Sequence, residues 1–447
     1  MAASPPPAAA GDKRPAYGYD AASQFQTVTK GTQTVTLAYD DAGRRTSLTY
    51  PNGVVSSYGY DNANRLLTLN HVKTPTTIES LTYTYDSAGN RTSLTRANAA
   101  ASTLPTAVTA ANISYDAANE LLRWNNATNN LTYDNNGNLA TETVGGVMTT
   151  YTWDSRNRLT GISKTGLTAS FVYDGLGRRK SKTVNGSTTG FWYDGNDVYA
   201  ELSGVTPSFT YIRGLNIDEP YVRKGASDEF YETDALGSSV ALTNGAGASQ
   251  TTYTYEPFGT TTQAGTASTS PFQFTGREND GTGLYYYRAR YYSSSRHRFY
   301  REDPLGVKIS PNLYSYADNN PINYKDPLGL EKCPAFGPVF RASLNTTNHF
   351  FFDFPTNLSR TAIGLITSGE VAKTAGTVSL IPALRSLPSG GIATLGGVGG
   401  TLGSAALNSL LNTAAVGASL EIGIITGSTI NAGIQTLGCA AGLATFF

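Results

Sequence analysis

Side chains that serve as nucleophiles and metal ligands are scarce in this 447-residue sequence, which has two cysteines, two methionines and three histidines. Cys333 and Cys439 lie too far apart for a zinc-ligand spacing and are too few for a disulfide framework. They read as two unconnected small core residues. No basic block is present: Lys+Arg and Asp+Glu balance at 33 each. That balance excludes nucleic-acid binding driven by bulk electrostatics. The opening Met1–Gly11 stretch has no apolar segment of secretory type, so residues 1–14 are read as a disordered lead rather than a signal. No cofactor motif or metal-ligand cluster is found. What the chain does have is tyrosine, 28 of them, and glycine, 47. That pairing suits strands joined by turns.

The tyrosines are periodic. Tyr-Asp or Trp-Asp pairs end at Asp20, Asp40, Asp61, Asp86, Asp116, Asp134, Asp154, Asp174 and Asp194, at intervals of 20, 21, 25, 30, 18, 20, 20 and 20 residues. Self-similarity of this kind marks a repeat architecture. Before each Asp the residues alternate, as in Tyr83-Thr84-Tyr85, which places both tyrosines on one strand face. The Asp then opens an Asp-x-x-Gly turn, in which its carboxylate accepts backbone N–H bonds and the glycine takes a positive φ. A second alternating segment follows, such as Arg45 to Tyr50, ending at the Pro51-Asn52-Gly53 turn. Each repeat is thus a β-hairpin that must pair with its neighbours to bury a face. The spacing predicts antiparallel hairpins joined in one curved sheet, with Tyr39, Tyr85, Tyr133 and Tyr173 in equivalent stacked positions. Tyrosine faces beside carboxylates also suit sugars, but regular spacing favours a tyrosine ladder with turn-forming aspartates.

These repeats resemble the YD repeats of RHS proteins, a family that includes bacterial polymorphic toxins, C subunits of insecticidal Tc toxins and animal teneurins. The segment Gly276-Arg-Glu-Asn-Asp-Gly-Thr-Gly-Leu-Tyr-Tyr-Tyr-Arg-Ala-Arg-Tyr-Tyr292 is similar to the conserved core signature of that family. So are Asp234-Ala-Leu-Gly237, Tyr255-Glu-Pro-Phe-Gly259, Asp303-Pro-Leu-Gly306 and Asp326-Pro-Leu-Gly329. The resemblance spans about residues 15–330. It implies an all-β body in a spiralling antiparallel sheet, residues 15–260, followed by an RHS-associated core over 261–330 and a variable region over 331–447. Nine repeats are fewer than such shells use, which points to a partial shell, either a C-terminal piece or an open cup. A further departure is Val307-Lys-Ile-Ser-Pro311, where the family more often has a glycine pair.

The resemblance also implies an exported bacterial toxin component whose own C-terminal region is the enclosed cargo, with a delivery or shell-completing protein as partner. In RHS proteins the paired Asp-Pro-x-Gly motifs are associated with self-cleavage after the second. Carried over, Asp303 and Asp326 form an aspartic dyad, Leu330-Glu331 is the scissile bond, and Arg298 is the candidate orienting cation. Two carboxylates sharing a site suit such chemistry, because close like charges keep one protonated while the other ionises. Asp-Pro-x-Gly is also what a type I turn asks for. Glu302 is a rival carboxylate, set on the opposite side of an extended chain from Asp303. The enzyme expected, if any, is a single-turnover autoprotease.

Composition changes at Glu331. The last 117 residues carry nine charged side chains against 57 in the first 330, and residues 386–420 carry none. A mainly helical tail is expected from Thr361 to Thr445. Small residues at Gly396, Gly400 and Ser404 have the spacing that lets membrane helices approach. The tail therefore has three readings: a membrane-active cargo, an enclosed plug, or an enzymatic toxin. For the last it offers His349 and no nucleophile–base set. His71 and His297 read as structural.

Overall fold

The structure is a computed structural model that describes residues 14–98, 112–125, 130–308, 310–334, 393–395 and 400–402. Two compact units divide the chain, Met1–Arg341 and Ala342–Phe447. The first unit is built almost wholly of antiparallel strands. Its helical elements are 3-10 turns such as Phe274–Gly276, Gly306–Lys308 and Ala317–Asn319, and no α-helix occurs among the described residues.

Each repeat folds as its turn chemistry dictates. At Asp40, Oδ1 accepts the amides of Ala42 (3.0 Å) and Arg44 (2.8 Å), while Oδ2 holds the Arg44 guanidinium at 2.6 Å. The Gly43 amide closes the turn on the Asp40 carbonyl, at φ +73°. Asp61, Asp154 and Asp174 repeat this arrangement with Arg65, Arg158 and Arg178. The fourth turn position is not always glycine: Asn64, Asn119 and Asn157 take positive φ there, which asparagine tolerates. Asp194 departs from the pattern. It pairs with Asp197 across a tight Gly195-Asn196 hairpin.

The tyrosines do more than stack. The hydroxyls of Tyr39, Tyr60, Tyr85, Tyr173 and Tyr193 donate to the backbone carbonyls of Phe25, Arg45, Leu66, Leu159 and Arg179, in the strand one repeat back, at 2.6–2.8 Å. Trp153 does the same through Nε1 to Leu139, and Tyr133 instead accepts the Leu121 amide. Arg44, Arg65, Arg158 and Arg178 lie over the rings of Tyr60, Tyr85, Tyr173 and Tyr193. Each arginine thus pairs with its own aspartate and packs on the next repeat's tyrosine.

The expected single sheet is instead two. Eight strands run in sequence order from Ala16–Tyr19 to Arg91–Arg96, and sixteen from Ser114–Tyr115 to Thr261–Gly265. The break falls in the longest repeat interval. There Glu79 Oε1 accepts the amides of Ala97 and Asn98, and the Ala97 amide also reaches the Ser80 carbonyl at 3.0 Å. The eight-stranded sheet packs Phe25, Val28, Leu37 and Leu48 against Ile212, Val222, Phe230 and Ala241 of the other sheet.

A four-stranded sheet, Glu278–Asn279, Tyr285–Tyr287, Arg290–Ser293 and Arg298–Phe299, follows. Its Leu284, Tyr286, Tyr291 and Tyr300 pack on Leu131, Leu139, Leu159 and Phe171 of the repeats. Its other tyrosines build an aromatic cluster of Tyr285, Tyr287, Tyr292, Phe299 and Tyr316. Arg179, fully buried, reaches from the repeats to Glu278 (2.6 Å) and Asp280.

Cys333 is buried, and Cys439 lies outside the described residues. Beyond Pro334 the described residues are two paired three-residue strands, Ala393–Leu395 and Gly400–Leu402. The expected helical character of the remaining tail, and the disordered lead over residues 1–13, lie outside the described residues.

Candidate active site

Asp303 and Asp326 are brought together by one cation. Arg290 Nη2 lies 2.7 Å from Asp303 Oδ2 and 3.1 Å from Asp326 Oδ2, so these oxygens are separated by no more than the sum of those distances. Arg290 comes from the third strand of the four-stranded sheet. Asp303 opens the turn after Phe299, with Leu305 donating to its Oδ1 at 2.9 Å. Asp326 follows the short strand Tyr324–Lys325, which pairs with Cys333–Pro334. The Leu330-Glu331 bond therefore lies in the loop that this two-stranded ladder closes.

Asp326 touches that bond. Its Oδ1 accepts the amides of Leu330 at 2.9 Å and Glu331 at 3.2 Å. Arg290 fixes the same loop from the other side, donating through Nε to the Gly329 carbonyl at 2.6 Å and through Nη1 to that of Leu313 at 3.0 Å. The Arg288 guanidinium donates to the Pro327 carbonyl. Gly329 has φ +68°, and a Cβ there would run into the Tyr287 carbonyl.

Burial sets the electrostatics. Asp326 is 2% exposed, and desolvation pushes its carboxyl up to about 6, with Arg290 opposing and Asp303 assisting. Desolvation also raises Asp303, against the pull of Arg290. Glu331 is raised by burial and by both aspartates. A carboxyl that keeps its proton toward neutral pH, beside a second carboxylate, is the arrangement acid–base hydrolysis requires.

The other candidates stand elsewhere. Arg298 donates to the Asn119 carbonyl and lies over the rings of Tyr314 and Tyr115. Arg290 therefore occupies the orienting place considered for Arg298. Its sequence signal was available: Arg290 stands in a tyrosine-rich segment that reads as buried, and a buried guanidinium demands carboxylates. Glu302 lies against Gly137. His71 is neutral and buried, with Ser56 Oγ at 2.7 Å from Nδ1 and Nε2 directed to the Thr233 carbonyl at 3.1 Å. His297 stacks on Phe258. Among the described residues no group of His, Cys, Asp and Glu is arranged to hold a metal ion.

Residues 55–322, more than half of the chain, match the Teneurin YD-shell family. The chain belongs to that family. The toxin subunit YenC1 of Yersinia entomophaga is 38% identical over 112 residues, covering 24% of this chain and 12% of that protein. The toxin protein Tse5 of Pseudomonas aeruginosa is 34% identical over 102 residues, covering 23% and 8%. The crystal structure of TcdB2-TccC3-Cdc42 has a TM-score of 0.53 at 21% identity, covering 74% of this chain and 21% of that one, a likeness of fold. The matched stretches are thus a small part of each relative. The YD-shell match ends at residue 322, short of Asp326, so the site geometry rests on this chain's own residues.

Proposed function

We propose that this chain is the YD-shell portion of a toxin-type protein that cuts itself once, between Leu330 and Glu331, and carries the region from Glu331 onward as cargo. The observation that carries this reading is that Asp326 Oδ1 accepts the N–H of Glu331, at the proposed scissile bond, beside a second carboxyl on the same guanidinium. In the proposed reaction, Asp303 takes a proton from a water that attacks the Leu330 carbonyl carbon. Once that attack has made the Glu331 nitrogen pyramidal, protonated Asp326 gives it a proton and the C–N bond breaks. The products are a carboxyl group at Leu330 and an amine at Glu331. The Asp326 turn and Arg290 hold the bond in place before reaction, which is where much of such catalysis originates.

Likeness to toxin subunits supports the carrier role and an exported bacterial origin, and likeness to the TcdB2-TccC3 complexes supports a protein partner that completes or delivers the shell. The tail's low charge supports a membrane as its target. Intact mass of the purified full chain tests the reading. It should give a fragment beginning at Glu331, absent from Asp303→Asn and Asp326→Asn variants that still fold. A single uncut wild-type species would leave a structural YD-shell protein whose two Asp-Pro-Leu-Gly segments are only turns.

A further inference from the structure

Along Arg301-Glu302-Asp303 the burial alternates. Arg301 and Asp303 are buried and Glu302 between them is half-exposed against Gly137. In extended chain such alternation puts Arg301 and Asp303 on one side. Arg301 Nη1 donates to two backbone carbonyls of the repeat wall, those of Asn157 and, at 3.3 Å, Arg156. Both belong to the turn opened by Asp154, which is held by Arg158 at 2.7 Å. The Nε of Arg301 is buried without a hydrogen-bond partner. Carbonyl oxygens solvate a guanidinium but do not neutralise it, so its charge remains to act on nearby groups through a medium of low polarisability.

The geometry points to Arg301 as a positioning residue that fastens Asp303 to the repeat turn at residues 154–158 and keeps it the ionised member of the aspartate pair. This inference rests on the self-cleavage reading. The charged and titratable groups facing Arg301 are Arg290, Asp303, Asp154 and Tyr173. Those facing Asp303 are Arg290, Arg301, Asp326 and Glu331. Arg290 is the ion-pair partner of both aspartates, while Arg301 stands two residues from Asp303 with its guanidinium buried among carbonyls, and that asymmetry assigns base to Asp303 and acid to Asp326. Cleavage is then coupled to the wall, because the anchor exists only when the Asp154 turn is folded against the core.

The test uses the full chain as wild type, Arg301→Met and Arg301→Lys, following cleavage by intact mass across pH. Arg301→Met should move the acidic limb of the rate toward neutral by about one unit and leave the alkaline limb in place. Arg301→Lys, which keeps the charge, should restore the limb. A uniform loss at every pH, or an unmoved acidic limb, would overturn the proposal. If Arg301→Met does not fold, Arg301→Gln retains a donor without charge and carries the same expectation. A second measurement separates the two readings. In an Asp326→Asn background, which is uncut, the Asp303 carboxyl is titrated by 13C resonance with and without Arg301→Met. Its midpoint should rise when the guanidinium is removed, and an unchanged midpoint would refute the role of Arg301 even if the wild type cleaves. Failure of the wild type to cleave, with the midpoint still moved, would defeat self-cleavage alone.

Discussion

The amide nitrogen of Glu331 lies 3.2 Å from Oδ1 of Asp326, five residues back along the chain. This is a short loop folding its own backbone onto a buried carboxyl. The neighbouring amide of Leu330 donates to the same oxygen, so the bond between the two residues is held against the Asp326 carboxyl. The two-stranded ladder of Tyr324–Lys325 with Cys333–Pro334 closes the loop and fixes this registration.

Cleavage should follow the protonation of Asp326. Its folded value of about 6 lies above the ordinary carboxyl range, so the proton is bound more tightly in the folded state. The stability it contributes is complete below about pH 4 and is lost as pH rises through about 6. Self-cleavage should decline over the same alkaline limb. Rates read by intact mass at a series of pH values should show it, and a rate still rising above pH 7 would contradict the assignment.

His71 should work in the opposite direction. Burial holds its imidazole down at about 4, so the neutral form belongs to the folded state. Its contribution is present above about pH 6.5 and lost as pH falls toward 4, about 3 kcal/mol in all. Thermal midpoints should drop across that range in wild type and less steeply in a folded His71→Gln variant.

The two Asp-Pro-Leu-Gly glycines should differ. Both have positive φ, which costs an alanine about 1–2 kcal/mol. At Gly306 a Cβ meets open space, whereas at Gly329 it strikes the Tyr287 carbonyl and crowds the Arg290 amide at 3.0 Å. Gly306→Ala should therefore lose only modest stability. Gly329→Ala should displace the loop and slow cleavage at least tenfold, which a time course of intact mass would measure.

Arg179 joins repeat to core. Replacing it by methionine leaves Glu278 and Asp280 buried without their main cation and should cost about 3–5 kcal/mol. Lys182 still reaches Asp280 at 3.0 Å and moderates the loss. Urea unfolding of Arg179→Met against wild type is the measurement, and a change below about 1 kcal/mol would show that the cluster is not needed.

Tyr173→Phe removes one inter-repeat hydrogen bond and leaves the Leu159 carbonyl without that donor. A loss of about 1 kcal/mol is expected. Tyr173→Ala also removes the ring under Arg158 and should cost about 3–5 kcal/mol. Denaturant midpoints of the two variants distinguish the hydroxyl from the ring.

The repeats were legible because their chemistry is local. An aspartate that caps amides two and four residues on, and a glycine or asparagine that takes positive φ before the chain returns, are contacts between residues adjacent in sequence. The hairpin period, the tyrosine positions and the separation of Glu302 from Asp303 follow from that grammar and from strand alternation. The tight hairpin at Asp194 was hidden, because Gly195-Asn196 satisfies the turn with fewer residues and the dipeptide reads the same.

Contacts across long separations were decided by packing. Arg298 and Arg290 lie 5 and 13 residues before Asp303, and alternation alone does not tell which one meets a carboxylate beyond the next strand. Burial in the four-stranded sheet does, because a guanidinium without water must face Asp303 and Asp326 or remain unpaired. The same cost of desolvating charge placed Arg179 opposite Glu278 and Asp280, about a hundred residues away. Turns and strands arise from the chain's own neighbours, whereas the pairing of buried charges depends on which surfaces the folded chain closes against each other.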